Sequence, residues 1–231
     1  GKSTTIKILS GILVPDSGNV IIDKKVPWTN RKEYVSEIGV VFGQRSQLWW
    51  DIPAIDSFNL LKDIYKLDDK EYKKTLNELV DMLNLKDIIN IPVRQLSLGS
   101  RMRLEIAAAL LHKPKILFLD EPTIGLDAVS KKIVRDFIKK INKEQKVTII
   151  LTTHDMADIE SLTDRLIMIG HGKKLYDGSV KDIKKKYSNE KIVEIIYEGK
   201  IKNKPISTDV DIVEDTDGLM RIKIDTRKTR V

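Results

Sequence analysis

Two hydrophobic patterns alternate along the first 187 residues. A continuous apolar run of strand length occupies residues 116–119, and mainly apolar segments of similar length occupy residues 147–151 and 165–169. Such segments are typical of strands buried in a parallel sheet. Between these runs, apolar residues recur at the three-to-four-residue spacing of amphipathic helices. The resulting order of strand, helix, strand, helix and strand predicts an α/β fold in which helices cover a mostly parallel sheet.

Shorter segments complete this prediction. Apolar triplets at residues 20–22 and 40–42 predict two more strands, and residues 5–10 predict a helix that ends at Gly11. Another helix is expected to begin at Asp68 or Asp69, both good N-cap residues. Residues from about 100 to 112 predict a further helix, which stops before Pro114.

The pattern changes after Tyr187. Apolar and polar residues alternate in segments such as 193–195, 210–212 and 222–224, and Asp217-Gly218 is a hairpin signal. Residues 188–231 therefore predict a small β-rich accessory tail beside a core at residues 1–187.

Composition excludes several classes of protein. The chain has 231 residues and no cysteine, which excludes a disulfide scaffold, a zinc site with cysteine ligands and a thiol nucleophile. No apolar run approaches the roughly 18 residues that would suggest a membrane span. The net charge of +7 favours anionic partners, but the lysines are spread along the chain and predict no specific nucleic-acid site.

The first four residues carry the first candidate chemistry. Gly1-Lys2-Ser3-Thr4 matches the second half of the phosphate-binding loop G-x-x-x-x-G-K-[ST]. Amide groups at a helix start attract phosphate oxygens, a lysine there can reach the β- and γ-phosphates, and the hydroxyl of Ser3 can ligate Mg²⁺. Because the chain opens inside this loop, we expect a fragment that lacks the first half of the loop and its strand, and that binds ATP poorly; its own activity stays open.

Two carboxylates follow the apolar run at residues 116–119. Asp120 and Glu121 would lie at the carboxyl edge of the sheet, where open α/β folds bind their ligands. Asp120 is a candidate Mg²⁺ ligand, and Glu121 is a candidate for polarising the attacking water.

Five motifs in the same order give the chain a family resemblance. From the phosphate-binding loop to about residue 180 it resembles the nucleotide-binding subunit of an ABC transporter, cut within its Walker A loop. The resemblance implies a P-loop NTPase fold with a helical lobe at about residues 50–112. The matching motifs are the Walker A half at residues 1–4, the signature at 96–100, Walker B with its glutamate at 119–122, the D-loop at 125–127 and the switch histidine at 153–155.

The resemblance also implies cofactors and residue roles. Such subunits form head-to-tail dimers that enclose two ATP molecules with Mg²⁺, so the phosphate-binding loop of one copy and the signature of the other would grip one nucleotide. Gln44 is expected to reach Mg²⁺ and the attacking water, although Gln47 is close enough to be the equivalent residue. The implied catalytic residues are Glu121, His154 and Gln44; the ATP-binding residues are Gly1, Lys2, Ser3, Thr4, Ser97, Leu98, Gly99, Ser100 and Asp127; the metal ligands are Ser3, Gln44 and Asp120.

Partners and location follow from the same resemblance. Family members pair with a second ATPase subunit, identical or not, and with transmembrane permease subunits, which would place this chain in the cytoplasm on the inner face of the membrane. Leu98, the segment 49–51 and the segment 101–103 resemble bacterial multidrug or polymer exporters. Either Trp49 or Trp50 is expected to touch the membrane partner, or both pack within the helical lobe.

Three alternatives remain beside the leading hypothesis of an exporter ATPase. One is an ABC ATPase that acts on ribosomes or DNA without a membrane partner. Another is a degenerate cassette without catalysis, because Ser100 stands where the signature has glutamine. A P-loop GTPase is the weakest, because residues 142–145 lack the aspartate that reads guanine and residues 120–123 lack the D-x-x-G glycine.

Overall fold

The computed structural model describes residues 1–43, 45–187, 190–198, 210–216 and 218–225. The described chain divides into two compact units, one formed by Gly1–Leu162 with Ile169–Lys173, the other by Thr163–Met168 with residues from Lys174 onward. This division runs through residues 163–173, ahead of the boundary predicted near Tyr187.

Helices and strands alternate through the first unit, as its apolar pattern predicted. Its elements are α1 (Lys2–Leu9), α2 (Arg31–Ser36), β1 (Ile38–Phe42), α3 (Ala54–Ile64), α4 (Asp69–Met82), a 3₁₀ turn (Val93–Gln95), α5 (Leu98–Leu110), β2 (Ile116–Asp120), α6 (Ala128–Gln145), β3 (Thr148–Thr152) and α7 (Met156–Leu162).

A parallel sheet in the order β1-β2-β3 organises this unit, which confirms the predicted fold class. Its register aligns Phe42 with Asp120, and Asp120 with Thr152. The three strands therefore end at the same level, and the segments that follow them emerge at one edge of the sheet.

Both faces of β2 are buried, because successive strand residues point to opposite sides. Leu117 and Leu119 pack into the larger apolar core, which includes residues of α5 and α6. Phe118 packs into a smaller core with Ile6 of α1 and Tyr34 of α2. The continuous apolar run of β2 is thus explained by burial on two sides.

Several local predictions differ from the structure. Residues Arg165–Gly170 form a strand, but this strand pairs with Lys173–Ser179 in a separate two-stranded sheet and has no buried residue, so its predicted place in the buried parallel sheet is wrong. Residues 20–22 form no strand: Ile22 makes an isolated bridge with Lys25, across a turn in which Asp23 and Lys24 adopt left-handed conformations. Helices α1 and α5 begin at Lys2 and Leu98 rather than near residues 5 and 100. The predicted cap of α4 is confirmed, because the Asp68 side chain accepts hydrogen bonds from the backbone amides of Lys70 and Glu71.

The chain continues with β4 (Arg165–Gly170), β5 (Lys173–Ser179), α8 (Val180–Tyr187), β6 (Glu190–Ile196), β7 (Val210–Thr216) and β8 (Leu219–Asp225). The last three strands form an antiparallel sheet in the order β6-β8-β7, and Met220, Ile222 and Ile224 are buried on one face of β8. The alternating pattern of the tail therefore corresponds to strands. Asp217 of the predicted hairpin signal lies outside the described residues.

We searched the described helices for a membrane span. None of them combines the length and the apolar character that crossing a bilayer requires.

Candidate functional site

Ser3 and Asp120 meet at the carboxyl edge of the parallel sheet. Ser3 lies in the first turn of α1, and its hydroxyl donates to Asp120 Oδ1 at 3.1 Å. The hydroxyl of Thr152, at the end of the neighbouring strand, donates to the same oxygen at 2.6 Å. These contacts fix the Asp120 carboxylate beside the serine hydroxyl, so the two side chains that the sequence predicted as metal ligands lie together.

Glu121 follows directly and occupies a left-handed backbone conformation with φ of 53°. Its amide donates to the carbonyl oxygen and the hydroxyl of Thr152, both at 3.1 Å. Its Oε1 lies 3.7 Å from Lys2 Nζ and 3.3 Å from His154 Nδ1. The structure thus brings together three predicted residues from distant parts of the sequence.

The backbone that carries His154 is anchored on both sides. The Thr153 hydroxyl donates to buried Asp158 at 3.0 Å, and Arg135 Nε donates to the other Asp158 oxygen at 2.6 Å. Asp155 accepts from Lys131 Nζ at 2.9 Å, and this bond is the main reason that the pKa of Asp155 is lowered. The imidazole itself is 63% exposed, so its backbone is held while its ring is open to a ligand.

A cavity of about 400 Å³ opens beside Ser3, Asp120 and Glu121. Gly43 forms part of its wall, and its amide donates to the Asp120 carbonyl at 3.0 Å. A Cβ at Gly43 would lie only 3.0 Å from the carbonyl oxygens of Asp120 and Glu121, so a side chain there would crowd the edge of the sheet. The lining residues are Ser3, Lys7, Ile12, Phe42, Gly43, Arg45, Asp120, Glu121 and Ile124.

The two candidate glutamines have different standing. Gln44 lies outside the described residues, so its predicted role stays a prediction. Gln47 donates its backbone amide to Glu105 Oε2 at 3.2 Å and its side-chain amide to the Glu105 carbonyl at 3.1 Å. The side chain of Gln47 is therefore engaged with α5.

The signature segment forms the start of α5. Ser97 is the N-cap, and its hydroxyl oxygen accepts from the amide of Ser100 at 3.1 Å. Ser97 also donates to the Ser100 hydroxyl at 3.1 Å, which accepts from Arg103 Nη2 at 3.2 Å. The Leu98 side chain lies 3.0 Å from the place of a Cβ at Gly125. Ser100 thus fills a hydrogen-bonding role within the helix start.

Gly99 packs against the start of α6. A Cβ on Gly99 would lie 2.2 Å from Ser130 Oγ and 2.6 Å from Ser130 Cβ, distances that a real side chain cannot adopt. Asp127 caps α6 by accepting from the Ser130 amide at 2.9 Å and the Ser130 hydroxyl at 2.7 Å. These two bonds are the main reason that the pKa of Asp127 lies below its usual range.

The predicted site residues thus form two groups. Lys2, Ser3, Asp120, Glu121 and His154 form one group at the sheet edge, which Gly1 and Thr4 join as the N-cap and first turn of α1. Ser97, Leu98, Gly99, Ser100 and Asp127 form the other at the starts of α5 and α6. Within the described residues, no hydrogen bond or ion pair links the two groups.

Sequence reasoning missed three residues that shape these groups. Thr152 orients Asp120, Ser130 fixes Asp127, and Glu105 binds the segment after β1. Glu105 alone left a sequence signal, since it is a carboxylate within the otherwise apolar segment 104–110.

The two adjacent tryptophans are both half exposed. The exposed fraction is 54% for Trp49 and 50% for Trp50. The guanidinium of Arg101 lies 5.0 Å from the ring centre of Trp50. Packing within the helical lobe therefore leaves a substantial part of both rings accessible.

Sequence comparisons identify relatives over most of the chain. A family model described as ABC transporter matches residues 1–124. The ABC transporter ATP-binding protein NatA of Bacillus subtilis is 32% identical over 197 residues, which cover 85% of this chain and 78% of NatA. The linearmycin resistance ATP-binding protein LnrL of the same organism is 31% identical, over 86% of this chain and 63% of LnrL.

Solved structures of ATP-binding cassettes have the same fold as most of this chain. The cbiO1 protein of Clostridium perfringens, part of the cbiONQ ABC transporter complex, aligns with a TM-score of 0.70 and 29% identity, over 79% of this chain and 74% of cbiO1. A dimeric ATP-binding cassette in a post-hydrolysis state, bound to ADP and Pi, aligns with a TM-score of 0.69 and 28% identity, over 78% of this chain and 81% of the cassette. This chain therefore belongs to the ABC transporter family and carries its ATP-hydrolysing ATP-binding domain.

Proposed function

We propose that this chain hydrolyses ATP at the sheet edge formed by β2 and β3 and thereby powers a membrane transporter. One observation carries the proposal. The Glu121 carboxylate lies within 4 Å of both the Lys2 ammonium and the His154 imidazole, directly beside the pair formed by Ser3 and Asp120. Glu121, Ser3 and Asp120 also line a cavity of about 400 Å³ that could receive the phosphates.

The residues at the start of α1 suit phosphate binding. Backbone amides from Gly1 to Thr4 present donors at a helix N-terminus, where a negative charge is stabilised. No acidic residue lies in the first turn of α1, so the helix itself places no negative charge beside these amides. The Lys2 ammonium adds a positive charge for the β- and γ-phosphates.

The metal ligands fit Mg²⁺ by their chemistry. Mg²⁺ prefers oxygen ligands and is usually held by one or two side chains together with substrate phosphates. Ser3 and Asp120 are such a pair, and no cluster of three or more acidic or histidine side chains exists among the described residues. When bound there, Mg²⁺ would neutralise charge on the phosphates as it develops. Gln44 is proposed as a further ligand on the sequence resemblance alone.

Glu121 and His154 are the proposed catalytic residues. The Glu121 carboxylate would orient the attacking water and accept its proton, as a positioned general base does. His154, exposed and beside Glu121, would donate a hydrogen bond to the γ-phosphate. The Thr152 contacts hold the Glu121 backbone at the end of β2, beside the end of β3.

The signature residues are proposed to act on a nucleotide held by a second ATPase subunit. Ser97 and Gly99 are not bonded to the sheet-edge group, and the helix start that they form leaves amide donors for a phosphate. The dimeric solved cassette is a precedent for such an arrangement. Asp127 would then lie at the subunit interface, whether the second subunit is a copy of this chain or a related one.

A membrane permease is the proposed second partner, which would hold the chain on the cytoplasmic face of the membrane. The exposed rings of Trp49 and Trp50 suit an apolar contact with such a partner. The linearmycin resistance relative and the exporter-like signature favour export as the direction. Intact co-assembly of Trp49→Ala and Trp50→Ala variants with the permease would reject this contact.

Phosphate release by the wild type and by Glu121→Gln tests the proposal. We expect the variant to lose turnover while it still binds ATP, because the amide cannot take the proton from water. ATP should also trap the variant as a dimer in size-exclusion chromatography. Equal turnover in both proteins would reject the role of Glu121, and a monomeric ATP-bound variant would reject the proposed pairing.

A further inference from the structure

Glu105 is a buried carboxylate that the hydrolysis scheme above does not use. It lies two turns into α5 and is 4% exposed. Its Oε1 accepts from the hydroxyl of Ser46, and its Oε2 accepts from the amide of Gln47 at 3.2 Å. The Gln47 side chain returns a bond to the Glu105 carbonyl at 3.1 Å. One acidic residue on the signature helix therefore fixes two consecutive residues that are nearly 60 positions away.

Burial of this acid is unfavourable by itself. Desolvation raises the pKa of Glu105 even though Ser46 and the amides of Gln47 and Leu48 donate hydrogen bonds to it. An apolar residue at this position would match its neighbours Leu104 and Ile106, which are fully buried, without that cost. The carboxylate therefore suits the hydrogen-bond donors of the segment that it binds, not the apolar core around it.

The segment that Glu105 holds borders the nucleotide cavity. Arg45 lines that cavity together with Ser3, Asp120 and Glu121. Arg45 also lines a second cavity of about 190 Å³, together with Ser46 and Glu105 itself. Movement of Ser46 would therefore be passed directly to Arg45 and to the wall of the nucleotide cavity.

The same segment continues to the exposed tryptophans. The Ser46 hydroxyl oxygen accepts from the amide of Leu48 at 3.1 Å, and Leu48 is buried. The amide of Trp49 then donates to the hydroxyl of Ser57 in α3 at 3.1 Å. Among the described residues, Glu105 is the residue of α5 that forms hydrogen bonds with Ser46 and Gln47.

We propose that Glu105 is a positioning residue for ATP hydrolysis, which holds Ser46 and Gln47 so that the cavity wall at Gly43 and Arg45 keeps its catalytic geometry. The inference rests on the proposed nucleotide site and adds a residue that contacts neither ATP nor water. We expect it to act on the hydrolytic step rather than on nucleotide affinity, because among the described residues neither Glu105 nor the residues that it holds form hydrogen bonds with the proposed phosphate ligands at α1.

Glu105→Ala, Glu105→Gln and the control Leu104→Ala test it in the full-length protein. Melting temperature, ATP Kd, KM and kcat are measured for each. Glu105→Ala should lower kcat by on the order of 10- to 100-fold, since small misplacements are costly in catalysis, with little change in ATP Kd. Glu105→Gln should keep kcat close to that of the wild type, because the carbonyl of the new side chain can accept from the Gln47 amide and its NH₂ can donate to the Ser46 hydroxyl. Leu104→Ala should lower the melting temperature but not kcat.

Ser46→Ala removes one partner without altering α5, and it keeps the test decisive if Glu105→Ala does not fold. We expect a smaller fall in kcat, again with ATP Kd preserved. An active wild type with unchanged kcat in both Glu105→Ala and Ser46→Ala, or in Ser46→Ala alone where Glu105→Ala is unfolded, would overturn this inference alone. A wild type that binds ATP but does not hydrolyse it would overturn the proposed function and this inference with it.

Discussion

The sheet edge and the start of the signature helix differ in how their polar groups are used. At the sheet edge, Asp120 and Glu121 are oriented by Thr152, Glu121 contacts Lys2 and His154, and both acids line an open cavity. At the helix start, Ser97 and Ser100 bond to each other, and Gly99 is pressed against Ser130. The first region leaves charged groups open to a cavity, whereas the polar side chains of the second bond to one another.

This difference is what the proposed two-subunit site would require of a chain that carries both halves. A region that does chemistry needs charged groups whose positions are fixed by the protein and whose tips are free. A region that only closes over a ligand needs a defined shape and backbone donors. Changes in the two regions should therefore affect different quantities: ATP affinity and turnover at the sheet edge, and shape and pairing at the helix start.

The largest effect is expected for Lys2→Ala at the sheet edge. A charge-assisted hydrogen bond contributes about 1.5–3 kcal/mol, or roughly 10- to 100-fold in Kd, and Lys2 is the cation closest to Glu121 in the site. Isothermal titration with ATP measures the change. The exposed Lys32→Ala variant should bind as the wild type does, and equal affinity of the Lys2 and Lys32 variants would remove Lys2 from the site.

The second largest effect is expected for Gly99→Ala at the helix start. The new Cβ would collide with Ser130, and overpacking of this kind costs about 1–3 kcal/mol. Thermal unfolding should show the loss, and ATP turnover should fall because α5 and α6 must separate.

A second substitution isolates that collision. Ser130→Gly removes both atoms that the new Cβ would meet, so the melting difference caused by Gly99→Ala should shrink in the Ser130→Gly background. An undiminished difference would mean that close packing against Ser130 is not the reason for glycine at this position.

A smaller effect is expected for Thr152→Val, which tests the support of the sheet edge. Valine keeps the shape of threonine but loses the hydroxyl that donates to Asp120 and accepts from the Glu121 amide. One such bond contributes about 1 kcal/mol, so turnover should fall by several-fold at most, with unfolding stability lowered by a similar free energy. The neighbouring Thr148→Val change at the start of β3, which is exposed, should leave turnover unchanged.

The smallest effect is expected for acid titration of Asp127. Hydrogen bonds from Ser130 lower its pKa below its ordinary value of 3.8, so the unfolded chain binds a proton at a higher pH than the folded chain does. The stabilisation is therefore present above about pH 3.8 and is lost as the pH falls through the folded-state pKa. Denaturant unfolding of the wild type and of Asp127→Asn should show a difference in unfolding free energy at pH 6, and this difference should decline as the pH falls below about 3.8. A difference that does not change with pH would contradict the prediction.

Features that depend on local chemistry were predictable from the sequence. The apolar run of β2 predicts a buried strand, and the two acids after it predict polar groups at the end of that strand, where the structure has them. Asp68 identifies the start of α4 because its side chain can accept from free helix amides. The triplet at residues 20–22 was a wrong prediction, since an apolar segment forms a strand only when a partner strand is available, and Ile22 finds only Lys25 across a tight turn.

Features that depend on contacts between distant residues were not predictable. Ser130 leaves no room for a side chain at Gly99, and Ser46 and Gln47 bond the Glu105 carboxylate. The sequence around these residues does not indicate which residues they contact. Thr152 and Thr153 are adjacent and identical in type, but one orients Asp120 and the other binds Asp158. Alternation along the chain predicts that the two side chains point to opposite sides, but it does not predict which residues each of them contacts.

The left-handed backbone at Glu121 lowers the free energy of unfolding at a position where the proposed mechanism needs a carboxylate. A residue with a Cβ in that conformation costs on the order of 1 kcal/mol, which glycine avoids and asparagine reduces. A population selected only for resistance to heat would therefore accumulate glycine or asparagine at position 121. Keeping glutamate there requires continued selection for turnover, so the identity of this one residue would report which of the two pressures has acted on a lineage.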